Sequence, residues 1–324
     1  MSPSAAAPHA KTAFVLAGGG SLGAVQVGML RALLESGIEP DMVVGSSVGA
    51  INGAYFAGDP TLEGISRLER LWCGLKRTDI FPWTWRRLLS FVRGRGHLVP
   101  SDGLRRLLEH HLPYRDLEDA AVPVHIVATD ILSGQAVVLS RGPAATAVLA
   151  SSAIPAAFAP VEIDSRLLCD GAIASNTPVA TAIALGARRL IVLPTGFACA
   201  PERAPSGAIA SALHAITLLT ARQLVAELER IKRPAQYHIL PTACPLGVSP
   251  FDFARTPELI EQAYRKALHW IAEGGLASSA IPAALRPHLH AAPTAFRPAV
   301  TDWIKKAPQQ SSHNTGREAF NALG

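Results

Sequence analysis

Two apolar runs in this chain each end in a glycine-rich turn and continue as a helix. The first run covers residues 12–17 and leads into Gly18-Gly19-Gly20-Ser21-Leu22-Gly23. The second, Met42-Val43-Val44, leads into Gly45-Ser46-Ser47-Val48-Gly49. Short apolar runs bounded by glycine read as buried strands, and the apolar spacing after each turn has helical period. A strand that enters a helix through a turn free of bulk is the repeating unit of a sheet covered by helices. The second turn fits G-x-S-x-G, which lifts the Ser47 hydroxyl out of a sharp turn with room for a carbonyl beside it. The first turn offers backbone N–H groups at a helix start, where negative charge is stabilised. A nucleophile and an anion cradle are the two parts that acyl transfer needs.

The first turn has a second reading. Gly18, Gly20 and Gly23 also satisfy G-x-G-x-x-G, the dinucleotide-binding turn. Glu39 and Asp41 have about the spacing of its ribose-binding acid, but they precede the second strand, whose end is occupied by Ser46-Ser47.

Beyond these turns, strand and helix signals alternate. Strands are expected over residues 12–17, 42–45, 122–128, 136–139, 167–169, 190–194 and 237–240. Helices are expected over 22–36, 48–57, 62–75, 101–111 with Ser101 as cap, 144–151, 179–185, 208–231 and 257–273. The fold class is therefore α/β, with a mostly parallel central sheet sandwiched by helices. Hydrophobic residues make up 49% of the 324 residues and charged ones 17%, enough for a large buried core. One domain is expected over 12–304, between a mobile start at 1–11 and a disordered tail at 305–324. No run approaches the roughly 18 apolar residues of a spanning helix, and the first residues lack the layout of a signal peptide. The expectation is a cytoplasmic protein, at most peripheral to a membrane.

Composition excludes several chemistries. The 4 cysteines, Cys73, Cys169, Cys199 and Cys244, form no C-x-x-C pair and read as reduced thiols. The 11 histidines form no H-E-x-x-H and no Cys/His cluster, so no metal is expected. His110 and His111 are adjacent and do not share a helix face. The net charge of +5 comes without a long basic run or a nucleic-acid-binding motif, which argues against a nucleic-acid partner.

A serine hydroxyl is a weak nucleophile until a base takes its proton. His238, His269 and His288 follow no distinctive turn, and His269 reads as one side of an amphipathic helix. Asp170, in Cys169-Asp170-Gly171-Ala172, ends the short apolar run 167–169 and is followed by small residues that leave room for another backbone. At the carboxyl ends of neighbouring strands such a carboxylate can face Ser47. The same four residues also suit a plain Asp-Gly turn.

Together the segments 18–23, 45–49 and Asp170-Gly171-Ala172 resemble the three signature elements of the patatin-like phospholipases. Ala150-Ser151-Ser152-Ala153-Ile154-Pro155, with Phe158 and Pro160, resembles the family's block between nucleophile and aspartate. Ala128-Thr129-Asp130 with Ser133-Gly134 resembles its central hairpin. The resemblance spans about residues 12–195. It implies a serine acyl hydrolase with a Ser–Asp dyad and no catalytic histidine. Ser47 is then the nucleophile and Asp170 the general base. Gly18, Gly19, Gly20 and Ser21 supply the oxyanion hole, supported by Gly23, Gly45, Gly49 and Gly171. No cofactor is implied, and the partner is a lipid or acyl ester. At the fifth position of the glycine turn, where the family often carries a basic residue, this chain has Leu22. The alternatives from other classes are a nucleotide-binding oxidoreductase using 18–23 and a non-catalytic lipid-binding protein on the same fold.

Residues 82–98 mix Trp83, Trp85, Leu88, Leu89, Phe91 and Val92 with Arg86, Arg87, Arg93 and Arg95. That mixture suits transient contact with a membrane surface through 83–95, and equally a packing helix with an arginine edge.

Overall fold

β1 (Thr12–Leu16) and β2 (Met42–Ser46) are buried along their whole lengths. Successive side chains leave opposite faces of the sheet, so a strand with both faces covered must be apolar throughout. Phe14 and Leu16 enter one hydrophobic core, and Ala13 and Val15 enter the other. β1 pairs in parallel with β2 and with β7 (Arg189–Leu193), placing Phe14 opposite both Val43 and Ile191. β3 (Val124–Asp130) adds in parallel beyond β2, and β8 (Gln236–Ile239) beyond β7. The 8-stranded sheet runs β5-β6-β3-β2-β1-β7-β8, with β4 (Ala136–Leu139) paired to β3. β5 (Val161–Ile163) and β6 (Arg166–Cys169) form an antiparallel hairpin through Asp164 and Ser165, both at positive φ, as tight hairpins require.

The structure is a computed structural model that describes residues 11–80, 102–155, 157–196, 208–231, 235–243, 252–277 and 279–286. All belong to the first of two compact units, Met1–His290; the second, Ala291–Gly324, lies outside the described residues. So do the Trp/Arg-rich segment 82–98, Ser101, Cys199, Cys244 and His288.

Helices cover both faces of the sheet. α1 (Ala24–Glu35), α2 (Val48–Gly58), α3 (Leu62–Gly74) and, late in the chain, Thr256–Ala272 pack into the core that holds Phe14. The opposite core takes Val179 and Ala182 from the helix Val179–Ala184, and Leu224 and Leu228 from Ala208–Arg230. Between them in sequence lie α4 (Arg77–Ile80), α5 (Asp102–His111), α6 (Ala144–Ser151) and α7 (Ala172–Ser175). Val179–Ala184, Ala208–Arg230 and Thr256–Ala272 are therefore α8, α9 and α10. Among the described residues no helix is long and apolar enough to cross a membrane.

Several elements differ from the sequence expectation, the short helices Arg77–Ile80 and Ala172–Ser175 among them. The first helix begins as a tight 3-10 turn, Gly20–Gly23, because the glycines admit a narrower first turn than an α-helix does. β5 was not expected, since Val-Glu-Ile is too short to show alternation.

A buried network of amide side chains ties the layers together. Gln26 donates to the carbonyls of Ala17 and Leu193, at 2.8 and 2.9 Å. Asn52 donates to the Gly23 carbonyl and to the Gln26 side-chain oxygen, at 2.9 and 2.8 Å. The Trp72 indole N–H donates to Asn52 Oδ1 at 2.8 Å. Gln26 and Asn52 are fully buried, and each amide has its full set of donors used and its oxygen accepting. Asn52→Ala would leave the Trp72 N–H and the Gln26 oxygen unpaired, while the Gly23 carbonyl, at the N-cap of α1, keeps its intrahelical bond. At about 1–3 kcal/mol for each buried unsatisfied group, urea denaturation should show a loss of about 2 kcal/mol or more. A loss within about 0.5 kcal/mol, the range of a surface substitution, would show that the network does not hold the layers together.

Candidate active site

β2 ends at Ser46, and the chain reverses into α2 through Ser47 at φ 54 and ψ −124. A non-glycine residue in that region is strained and needs surroundings that hold it there. Three contacts do so. The Ser47 amide donates to Ser151 Oγ at 2.9 Å, and that hydroxyl donates to the Val127 carbonyl at 2.6 Å. Ser152 Oγ donates to the Ser47 carbonyl at 3.4 Å. α2 also packs so closely over β1 that a Cβ at Gly49 would collide with the Leu16 carbonyl oxygen, and one at Gly45 with the Gly49 backbone. The small flanks of the G-x-S-x-G turn are thus a packing requirement.

Asp170 arrives from an unexpected direction. Alternate residues of a strand present their backbone groups to the same edge. The Pro123 carbonyl accepts from Val43 of β2, and the Ile131 amide donates to Leu167 of β6. Between them in alternation, the Asp130 amide donates to Gln135 on the β4 side. β6 therefore takes the edge of β3 that β2 leaves free at Ser46, and it runs antiparallel, with Cys169 opposite Thr129. The residue that follows its last one, Asp170, meets Ser47. A parallel neighbour would have carried Asp170 away from the sheet.

Ser47 Oγ donates to Asp170 Oδ2 at 2.7 Å, while Oδ1 accepts from the Ala172 amide at 2.8 Å. The Asp170 amide donates to the Ala153 carbonyl, its carbonyl accepts from Thr129 Oγ1, and the Gly171 amide donates to the Ser151 carbonyl. A Cβ at Gly171 would strike the Val127 carbonyl. Asp170 is 4% exposed and Ser47 7%. Burial raises the Asp170 carboxyl from 3.8 to about 6, against the opposing pull of the bonds from Ala172 and Ser47.

The glycine turn lies beside them. A Cβ at Gly18 would come 3.1 Å from Ser47 Cβ. The Gly18 amide donates to the Asn176 carbonyl at 2.9 Å, and its carbonyl accepts from Thr195 Oγ1 at 2.6 Å. Gly19 abuts Thr195 with no room for a Cβ, and Gly20 sits at φ 60, a conformation that favours glycine. Among the described residues the amides of Gly19 and Gly20 have no acceptor. Ser21 is buried at the edge of the site, and Gly23 packs on Val48. Asn176 and Thr195, which hold the turn, carried no sequence signal beyond lying after elements that point at the site.

Ser47, Gly20 and Ser21 stand at one end of an apolar pocket. Its walls are three helical stripes: Val48, Ile51 and Tyr55 of α2; Leu68, Leu71 and Trp72 of α3, with Leu75 following; and Leu104, Leu107, Leu108 and His111 of α5. Phe253 stacks on Trp72 with ring centroids 6.2 Å apart. Partial burial, with His110 adding to it, holds the His111 imidazole below its ordinary pKa.

The remaining candidates are elsewhere. Asp41 accepts from the Thr12 amide at 2.6 Å, at the amino end of β1, the opposite end of the sheet from the glycine turn. It is not placed to hold a ribose there. His269 is exposed and pairs with Glu273, and His238 is buried on β8. Among the described residues no three His, Cys, Asp or Glu side chains are grouped to hold a metal ion.

The profile of the family described as patatin-like phospholipase matches residues 14–183, which include both glycine turns and Asp170. An uncharacterised NTE family protein of Mycobacterium tuberculosis is 32% identical over 170 residues, covering 52% of this chain and 45% of that protein. Patatin-like phospholipase domain-containing protein 7 of Rattus norvegicus is 30% identical over 186 residues, covering 57% of this chain and 13% of that protein. The chain thus spans less than half the length of these curated relatives. Among solved structures, human GIVD cytosolic phospholipase A2 aligns with a TM-score of 0.46 at 12% identity, over 83% of this chain and 59% of that one. VipD from Legionella pneumophila aligns with a TM-score of 0.44 at 14% identity, over 82% and 67%. Because the matched profile runs over more than half of the sequence and through both turns to Asp170, this chain belongs to the patatin-like phospholipase family.

Proposed function

We propose that this chain hydrolyses the acyl ester bond of a lipid through Ser47 and Asp170. One observation carries the reading: a serine hydroxyl donates to a buried carboxylate at 2.7 Å, at the end of a pocket walled by leucines. Asp170 accepts the proton of Ser47 Oγ as the oxygen attacks the ester carbonyl carbon. The carbonyl oxygen becomes an oxyanion beside the Gly19 and Gly20 amides, which are free to donate to it. Collapse breaks the bond to the alcohol, and the proton on Asp170 passes to the departing oxygen. Water then attacks the acyl-enzyme, gives a proton to Asp170, and releases the fatty acid as Ser47 regains its hydrogen. Phospholipid or lysophospholipid is the leading substrate class, with neutral acylglycerols next.

A raised carboxyl pKa makes Asp170 a stronger base than an ordinary aspartate while leaving it ionised at neutral pH. kcat/KM should therefore fall as pH drops through about 6, where the base becomes protonated. Stability has the opposite sign. A carboxyl whose pKa is higher folded than unfolded holds its proton more tightly in the fold, so its ionisation costs stability as pH rises from 3.8 to about 6. Asp170→Asn should thus lower turnover by about a hundred- to ten-thousand-fold yet melt no lower than wild type at neutral pH. An Asp170→Asn protein that unfolds early, or turns over near wild type, would count against the base assignment.

Ser47→Ala should lose activity on the order of a million-fold on p-nitrophenyl esters, and lose all labelling by a fluorophosphonate probe. Ser46 is the control: its hydroxyl is buried without a partner, so Ser46→Ala removes an unsatisfied group and should keep turnover. Labelling that survives in Ser47→Ala, or a nicotinamide or flavin bound with Ser47 irrelevant to it, would overturn the hydrolase reading.

Gly20→Val tests the anion cradle. A branched residue at φ 60 must shift the turn and move its amides. Loss of about one donor predicts a fall of roughly a hundred- to a thousand-fold in kcat, with little change in lipid binding. Wild-type kcat in Gly20→Val would remove this amide from the reaction.

A further inference from the structure

The apolar pocket has a far end, and the fold fixes what stands there. Val48, Ile51 and Tyr55 lie on one face of α2 and line the pocket in that order away from Ser47. At about 1.5 Å of rise per residue, Tyr55 is about 12 Å beyond Ser47 along the helix. Just past Tyr55, the chain leaving α5 crosses the C-terminal end of α2. The Tyr114 hydroxyl donates to the Ala54 carbonyl at 2.8 Å, and the Val122 amide donates to the Ala57 carbonyl at 2.9 Å. Pro113 and Tyr114 press on Gly58 with no space for a Cβ. Leu112 of the same segment joins Tyr55 in lining the pocket. Tyr55 is 9% exposed, and its hydroxyl has no partner among the described residues, so packing alone holds the ring.

Resting on the hydrolase reading, we infer that Tyr55 is the end wall of the acyl pocket and sets the longest acyl chain that it takes in full. A saturated chain advances roughly 1.3 Å per bond of about 1.5 Å, so about 12 Å holds on the order of ten carbons. A longer chain must displace either the Tyr55 ring or the hydrogen-bonded crossing behind it. Overfilling a packed wall is unfavourable, whereas each methylene buried before the wall improves binding by a factor of about four. Specificity should rise with chain length up to the wall and then fall.

The test is the ratio of kcat/KM for the tetradecanoyl over the octanoyl p-nitrophenyl ester, in mixed detergent micelles, measured within each protein. Taking the ratio cancels any loss of folded enzyme. Wild type should favour the octanoyl ester. Tyr55→Phe keeps the bulk and should keep the ratio. Tyr55→Ala opens a space about four carbons deep and should raise the ratio about tenfold or more. Tyr55→Leu, which preserves an apolar core position if the alanine variant folds poorly, should raise it by less. An unchanged ratio in both shortened variants, with Ser47-dependent turnover present, would overturn the end-wall assignment and leave the hydrolase reading standing. A wild-type protein with no turnover at any chain length and no probe labelling at Ser47 would overturn the hydrolase reading, and this inference with it.

Discussion

The bond from Ser47 Oγ to Asp170 Oδ2 sets the terms for everything around it. A carboxylate at 4% exposure is unfavourable unless its oxygens are paired, and here each oxygen accepts one hydrogen bond. Those two bonds come from a side chain 123 residues away and from the amide two residues on. The first exists only because β6 runs along the edge that β2 leaves open, whereas the second is local to the turn. The raised pKa records the outcome of the contest: burial pushes the carboxyl up further than the two bonds pull it down.

Ser47 carries the matching cost in its backbone. A non-glycine residue at φ 54 costs on the order of 1–3 kcal/mol, and it persists only where its neighbours leave no alternative. Ser151 fixes its amide, Ser152 its carbonyl, and the contact of Gly49 with Leu16 fixes the entry of α2. Ser151 also holds the Gly171 amide through its own carbonyl. One residue of α6 therefore sets the position of both the serine turn and the aspartate turn. The Ser47 amide is occupied by Ser151, whereas the Gly19 and Gly20 amides have no acceptor among the described residues.

The parts of this site that were legible in the sequence are those where a turn demands a particular residue type. Gly45, Gly49 and the glycine turn stand out because no side chain fits there, and their strands stand out because burial on both faces leaves an unbroken apolar run. Asp170 could be proposed from its place at a strand end, but the antiparallel sense of β6 could not: Leu167-Leu168-Cys169 is too short to say which way it pairs. β5 escaped for the same reason. Asn176 and Thr195 were illegible because they act through a backbone carbonyl and a hydroxyl on the glycine turn, and neither needs a motif. The pocket was illegible for a deeper reason. Leu68, Leu71 and Trp72 have the spacing of any core-facing helix, and so do Leu104, Leu107, Leu108 and His111. A stripe that faces a cavity has the same period as one that faces packed side chains.

What distinguishes this cavity from a packing defect is how its wall is built into the site. Unfilled apolar space forgoes contacts that a close-packed interior would make, so a fold keeps it only against a rigid frame. Trp72 shows the frame. Its ring is part of the pocket wall, and its indole N–H holds Asn52. Asn52 holds the Gly23 carbonyl at the end of the glycine turn, and through Gln26 reaches the Ala17 carbonyl at its start. The wall and both ends of the turn are therefore joined by buried, fully paired hydrogen bonds. Under the proposed reading, an acyl chain lying along Trp72 would be held in a fixed relation to the Gly19 and Gly20 amides. The geometry that an acyl group would need at Ser47 is set by the same side chains that keep the pocket open.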